Sequence, residues 1–123
     1  MRNDMRSAGP HLVHDRSGLH ASDGSFSIDP SRKYPVALIS HAHGDHALPG
    51  HGTIFATRPT WELMKERFAG KLTADLREVE FGRPFRLGSL TVTFFPAGHI
   101  LGSAQILLEN EEGRTLYTGD FKT

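Results

Sequence analysis

The segment ISHAHGDHALPG, Ile39 to Gly50, places His41, His43, Asp45 and His46 within six consecutive positions. In extended backbone the side chains of His41 and His43 project to the same side, so both imidazoles can reach one ion at about 2.0 to 2.1 Å. Asp45 and His46 come next, where a short helix is expected, and can face a second ion beside the first. Two imidazoles leave the first ion under-coordinated, so another donor has to come from elsewhere in the chain. The stretch PAGHILGS offers His99, flanked by Gly98 and Gly102, which let backbone approach a crowded site. Asp120, in LYTGD, follows an apolar strand and a glycine. A carboxylate there can bridge two ions.

Four donors packed into six residues have no packing use after a strand expected to be buried. Taken alone, His99 reads equally as a ligand or as an ordinary loop residue and Asp120 as a turn residue; a cluster short of ligands gives both a role. The remaining histidines, His11, His14, His20 and His51, have no such company. They read as hydrogen-bonded or exposed side chains.

The elements that must position this cluster are short. Strand-like runs occur at HLVHD, GLHAS, SFSID, VALIS and TIFAT, separated by Gly, Ser, Asp and Pro, and read as a sheet meander. VALIS, Val36 to Ser40, is apolar up to its last residue, as a strand buried on both faces should be. The histidine cluster follows its C-terminal end. RPTWELMKERFAG is the one clear helix, with Thr60 as cap, Trp61, Leu63, Met64 and Phe68 on one side and Gly70 as terminator. It reads as scaffold. From Arg83 the pattern returns to strand: in SLTVTFF the residues Leu90, Val92 and Phe94 alternate with Thr91, Thr93 and Phe95. SAQILLE and RTLYTGD, joined by Asn110 to Gly113, read as a hairpin. Strands, a crossing helix and further strands favour an α/β layered domain over an all-β barrel.

Composition narrows the chemistry. The chain has 123 residues, enough for one small domain, with residues 1–10 expected as a flexible N-terminus and 11–123 as the folded part. With no cysteine, disulfides, thiolate zinc sites and cysteine nucleophiles are excluded, so any metal is held by nitrogen and oxygen. Fourteen basic residues balance fourteen acidic ones, so net charge does not draw the chain to nucleic acid and such a partner has to be held locally. The N-terminus has no apolar run of signal-peptide length, and no membrane-spanning run occurs. A cytoplasmic location is expected.

At this point the motifs carry a resemblance. SHAHGDH resembles the His-x-His-x-Asp-His signature of the metallo-β-lactamase superfamily, and AGHILGSAQ and YTGD resemble its third and fourth motifs in the right order. PAGHILGSA and YTGDF are similar to the β-CASP nuclease branch, which includes RNA 3'-end processing endonucleases and bacterial ligase-associated exonucleases. The opening GLHASDGSFSIDPSRKYPVALISHAHGDHA resembles the latter in particular. The resemblance implies the N-terminal half of an αββα sandwich, mostly strands with one clear helix. It implies zinc in two sites, with His41, His43 and His99 on the first ion, Asp45 and His46 on the second, and Asp120 between them. Asp45 would orient the attacking water or take its proton. Asp29, in SIDP, would support the metal loop without ligating, although it reads equally as a turn residue before Pro30. Thr118, Ser103 and the glycine amides near His99 are candidate phosphate contacts; the substrate-binding residues are otherwise unassigned.

The sequence departs from the family in having no histidine after His99, where the second site normally receives one more ligand. The β-CASP insert and the second half of the sandwich would also lie beyond Thr123, so 11–123 reads as a partial domain. Half a sandwich would leave its inner sheet face uncovered, and self-association or the missing C-terminal half would cover it. One tightly held zinc and little nuclease turnover are expected of these residues alone. A glyoxalase II-like or lactonase-like hydrolase keeps the same fold with another substrate, and a non-catalytic zinc-binding fragment is the reading outside enzymes.

Overall fold

The computed structural model describes residues 6–7, 10–42, 49–98 and 103–118. Seven strands form one sheet in chain order: β1 (Arg6–Ser7), β2 (Leu12–Asp15), β3 (Gly18–Ala21), β4 (Ser27–Ile28), β5 (Val36–Leu38), β6 (Thr53–Ala56) and β7 (Asp75–Glu78). The neighbours from β1 to β4 are antiparallel, and those from β4 to β7 are parallel. The expected meander therefore ends at β4. Parallel neighbours need a crossover, and the helix α1 (Arg58–Phe68) lies within the one between β6 and β7. A second, wholly antiparallel sheet has the order β11 (Gly113–Tyr117), β10 (Ala104–Asn110), β9 (Leu90–Pro96), β8 (Phe85–Leu87). Its β10–β11 hairpin turns at Glu111 and Glu112.

Alternation along the strands builds two cores. In β5 and just beyond it, Leu38 faces the second sheet, while Ala37 and Ile39 face the helix side with Ile54 and Ala56 of β6. Met64 of α1, fully buried, fills that second cluster, with Trp61 and Phe68 packed at its margin. Between the sheets, Leu12, Leu19, Ile28 and Leu38 meet Leu90, Val92, Phe94, Ile106, Leu108 and Tyr117. The layers are thus helix, sheet, sheet. The expectation of an uncovered inner face is corrected here: the inner faces of the two sheets close on each other. The exposed apolar side chains on the strands, Phe95 and Leu116, lie at positions alternating with the buried Phe94 and Tyr117.

Local details correct three expectations. Thr57, not Thr60, caps α1: its side chain accepts from the Thr60 N–H. Pro59 sits in the first turn, where its missing N–H costs nothing, and that moves the cap upstream. Ala69 adopts the left-handed conformation at the other end, one residue before Gly70. Leu63 is exposed and does not share the buried side of Met64. β1 lies inside the stretch expected as a flexible terminus, with Arg6 paired to His14 and Ser7 to Val13. Gly52 permits a close backbone approach, since a Cβ there would lie 2.7 Å from the Pro35 carbonyl oxygen.

Polar ties at the turns reinforce the sheets. Both carboxylate oxygens of Asp23 are used: one accepts from Ser25 and the other from the backbone N–H and hydroxyl of Ser89, across to the β8–β9 turn. Hydrogen bonds from Ser25 and Ser89 hold its carboxyl well below the ordinary range, against the effect of burial. Burial pushes Asp15 up, but hydrogen bonds from His20 and Ser17 outweigh it and leave the group at about 2. Both folded values lie below the unfolded ones, so these groups stabilise the fold above about pH 4 and lose that contribution as the pH falls. Denaturant midpoints of the metal-free chain should fall between about pH 4 and pH 2, and Asp23→Asn should flatten that fall. An identical acid slope in the variant would contradict the assignment.

Candidate metal centre

The segment that begins the histidine cluster is anchored by a buried carboxylate. Asp29 follows β4 with φ 43°, a left-handed conformation that Asp tolerates better than most residues. Its own N–H continues the parallel pairing by donating to the Leu38 carbonyl at 2.9 Å. Its side chain, 4% exposed at residue level, accepts three hydrogen bonds. The Ser40 N–H donates to Oδ1 at 2.8 Å, the Ser40 hydroxyl to Oδ2 at 2.5 Å, and the Tyr117 hydroxyl to Oδ2 at 2.7 Å. These contacts exceed those of a turn residue before Pro30: they tie Asp29 to Ser40 and Tyr117.

The protonation pattern extends to His41. The single hydroxyl proton of Ser40 is committed to Asp29, so Ser40 Oγ meets His41 Nδ1, 2.8 Å away, as an acceptor. His41 then carries its proton on Nδ1, the ring nitrogen that faces Ser40. That is the tautomer a metal ligand needs, with the other ring nitrogen oriented by a neighbouring group. Asp29 Oδ2 lies 3.8 Å from the same Nδ1. The donor chemistry of His41 therefore fits a metal ion.

Other segments converge on this point. The Ala104 N–H, at the start of β10, donates to the Ser40 carbonyl at 2.8 Å. Ala97 N–H donates to the Ser103 carbonyl at 3.0 Å, closing the base of the connection that contains His99. Gly98, at φ 105°, begins that connection in a conformation that favours glycine. From the helix side, Arg67 donates to the Ala42 carbonyl at 3.0 Å. The strand leading to Asp120 is joined to the same place by Tyr117.

His41 is thus described, and half-buried. His43, Asp45, His46, His99 and Asp120 lie outside the described residues. Among the described residues no group of three or more His, Asp or Glu side chains comes together to hold a metal. Ser103 is buried with its hydroxyl unpartnered, which disfavours it as a surface contact to phosphate, whereas Thr118 is exposed. Sequence reasoning missed Tyr117 and Arg67. Tyr117 stood within LYTGD, but nothing in the linear pattern signals the partner of its hydroxyl.

The isolated histidines are otherwise employed. Buried His11 bonds Thr115 Oγ1 at 2.7 Å and Asn110 Oδ1 at 2.8 Å, tying β2 to the hairpin. His20 sits between Asp15 and Ser27. His51 Nδ1 accepts from the Tyr34 N–H, and burial lowers its pKa.

Comparison with known proteins bears on the whole arrangement. No protein-family model matches the chain. A metallo-β-lactamase of Cronobacter sakazakii superposes on 94% of this chain and 64% of that one, with a TM-score of 0.68 at 17% identity. The chain has the metallo-β-lactamase fold. This metallo-β-lactamase-fold chain is also 40% identical over 111 residues to a probable DNA ligase of Opitutus terrae, covering 85% of this chain and 10% of that protein. It is 37% identical over 120 residues to a ribonuclease of Thermus thermophilus, covering 77% of this chain and 27% of the ribonuclease. The chain therefore spans 10% and 27% of the length of these two relatives. Among the described residues no helix is long and apolar enough to cross a membrane.

The Asp29 contacts carry a stability consequence. In Asp29→Asn the side-chain N–H₂ would face one or more hydroxyl or amide donors in a buried site, losing an acceptor where three bonds converge. A loss of about 1–3 kcal/mol in denaturant unfolding is expected. Parent-like stability of the metal-free variant would contradict the assigned bonding.

Proposed function

We propose that the chain carries the metal-binding segments of a zinc-dependent phosphodiesterase acting on DNA or RNA, in the manner of the β-CASP nucleases, in the cytoplasm. The observation that carries this reading is the 37% identity to a ribonuclease over most of the chain. The match to a protein named as a DNA ligase points to nucleic acid again. The geometry supports the metal part: His41 is oriented through Ser40 and Asp29, at the junction of the strand ends that lead to the other candidate ligands.

In this reading His41, His43 and His99 would hold one ion, Asp45 and His46 a second, and Asp120 would contribute its carboxylate to the same centre. Bound metal would lower the pKa of water and offset charge developing on the phosphoryl oxygens. Asp45 orients the attacking water and takes its proton. Ser40 and Asp29 fix the ring of His41, and Arg67 holds the backbone at Ala42. Nitrogen and oxygen donors suit zinc and also manganese or iron, so metal identity belongs to the test.

The full-length gene product, loaded in turn with zinc and manganese, should cleave 5'-labelled DNA or RNA oligonucleotides and lose that activity with chelator. His43→Ala should reduce the rate at least about 100-fold, at the upper end of ligand-sphere effects, while exposed Leu63→Ala should not. Metal-loaded protein that hydrolyses a thioester or lactone and leaves both oligonucleotides intact would overturn the nuclease reading.

A further inference from the structure

The Tyr117 hydroxyl has an employment that packing alone does not require. Tyr117 is the last residue of β11 in the second sheet, buried to 7% exposure in the inter-sheet core. Its ring contributes to that core, and a phenylalanine would fill the same space. Its hydroxyl instead donates to Oδ2 of Asp29, a residue of the first sheet 88 positions away in the chain. The same oxygen takes the Ser40 hydroxyl proton, and Ser40 Oγ in turn accepts from His41. One carboxylate therefore joins the end of β11 to the end of β5. The chain continues from the first towards Asp120, three residues on, and from the second into His41 and the cluster after it.

We propose that Tyr117 is a positioning residue for the metal site, acting through Asp29 and Ser40 to fix the segment leading to Asp120 against the segment bearing His41. Its hydroxyl holds the end of β11 against the end of β5, the two strand ends from which His41 and Asp120 follow in the sequence. Each sheet's own ladder holds its strands, but ladder bonds run within a sheet and do not set the distance between sheets. Apolar packing between the sheets is non-directional and tolerates small displacements. A short buried bond to a carboxylate that is itself held at both oxygens is directional. Outer-shell partners of this kind commonly alter metal affinity by 10- to 100-fold.

This inference rests on the proposed reading in taking His41 and Asp120 as ligands of the same site. The test is a double-mutant cycle on zinc affinity of the full-length gene product, measured by competition with a chromogenic chelator. Tyr117→Phe should weaken zinc binding about tenfold. In an Asp120→Ala background it should change affinity less than about twofold, because the ligand whose placement it controls is gone. Equal losses in both backgrounds would show a general effect on folding, and an unchanged affinity would show none; either overturns the proposal. Should Tyr117→Phe fail to fold, Tyr117→Met also removes the hydroxyl while keeping an apolar side chain, and it takes the same place in the cycle. The readout is binding and not turnover. Protein that shows the coupling and cleaves no nucleic acid would overturn the proposed function and leave the role of Tyr117 standing, whereas protein that takes up no metal would overturn both.

Discussion

The described structure depends on one buried carboxylate that accepts hydrogen bonds at both oxygens. Placing an aspartate between two apolar sheets would be costly without partners, since an unpaired buried charge is among the least tolerated groups in a protein interior. Asp29 meets that requirement with one backbone N–H and two hydroxyls, drawn from two strand ends in different sheets. Removing any one donor leaves part of the charge uncompensated. The surrounding apolar residues make the bonds stronger by excluding water, and the bonds in turn determine how the apolar faces meet.

The parallel half of the first sheet explains why the site lies where it does. β4 and β5 are parallel, so their C-terminal ends, Asp29 and Ser40, lie side by side. In open sheets with parallel strands, ligands gather beyond such carboxyl ends. In the second sheet β9 and β11 both flank β10 antiparallel to it, so they share a direction and their C-terminal ends lie at one edge. The bonds from Ala104 to Ser40 and from Tyr117 to Asp29 bring that edge over the ends of β4 and β5. Chain direction, more than any individual side chain, brings together the ends of β5, β9 and β11, after which the three segments of candidate ligands follow in the sequence.

Much of this was legible in the sequence, and the parts that were not share a cause. VALIS declared a strand buried on both faces, and Ala37, Leu38 and Ile39 are almost fully buried. The alternation of Leu90, Val92 and Phe94 declared the inner face of β9 in the same way. β7, with the sequence DLRE, gave no such signal: it is an edge strand whose exposed residues are polar, and its pairing with β6 is a tertiary fact. The cap of α1 was displaced by three residues because Thr57 and Thr60 are chemically the same, and only the position of Pro59 within the first turn separates them. At the candidate site, the spacing marked His41 as a candidate, and Asp29 was legible only as one of two alternatives. Tyr117 could not be read at all, because a hydroxyl's partner across 88 residues leaves no periodicity.

The histidines show how the same side chain is sorted by its surroundings. His11 and His20 have both ring nitrogens engaged by neighbours that can donate or accept, so neither retains a lone pair directed at an open position. His51 is buried with Nδ1 accepting from backbone, which puts its proton on Nε2, an atom with no partner in the structure. His41 differs from all three in the direction of a single proton. Because Ser40 gives its proton to Asp29, it can only accept from His41, which fixes the ring proton on Nδ1. The orientation of the His41 ring is therefore set two bonds away, at the carboxylate, through the hydroxyl that donates to Asp29.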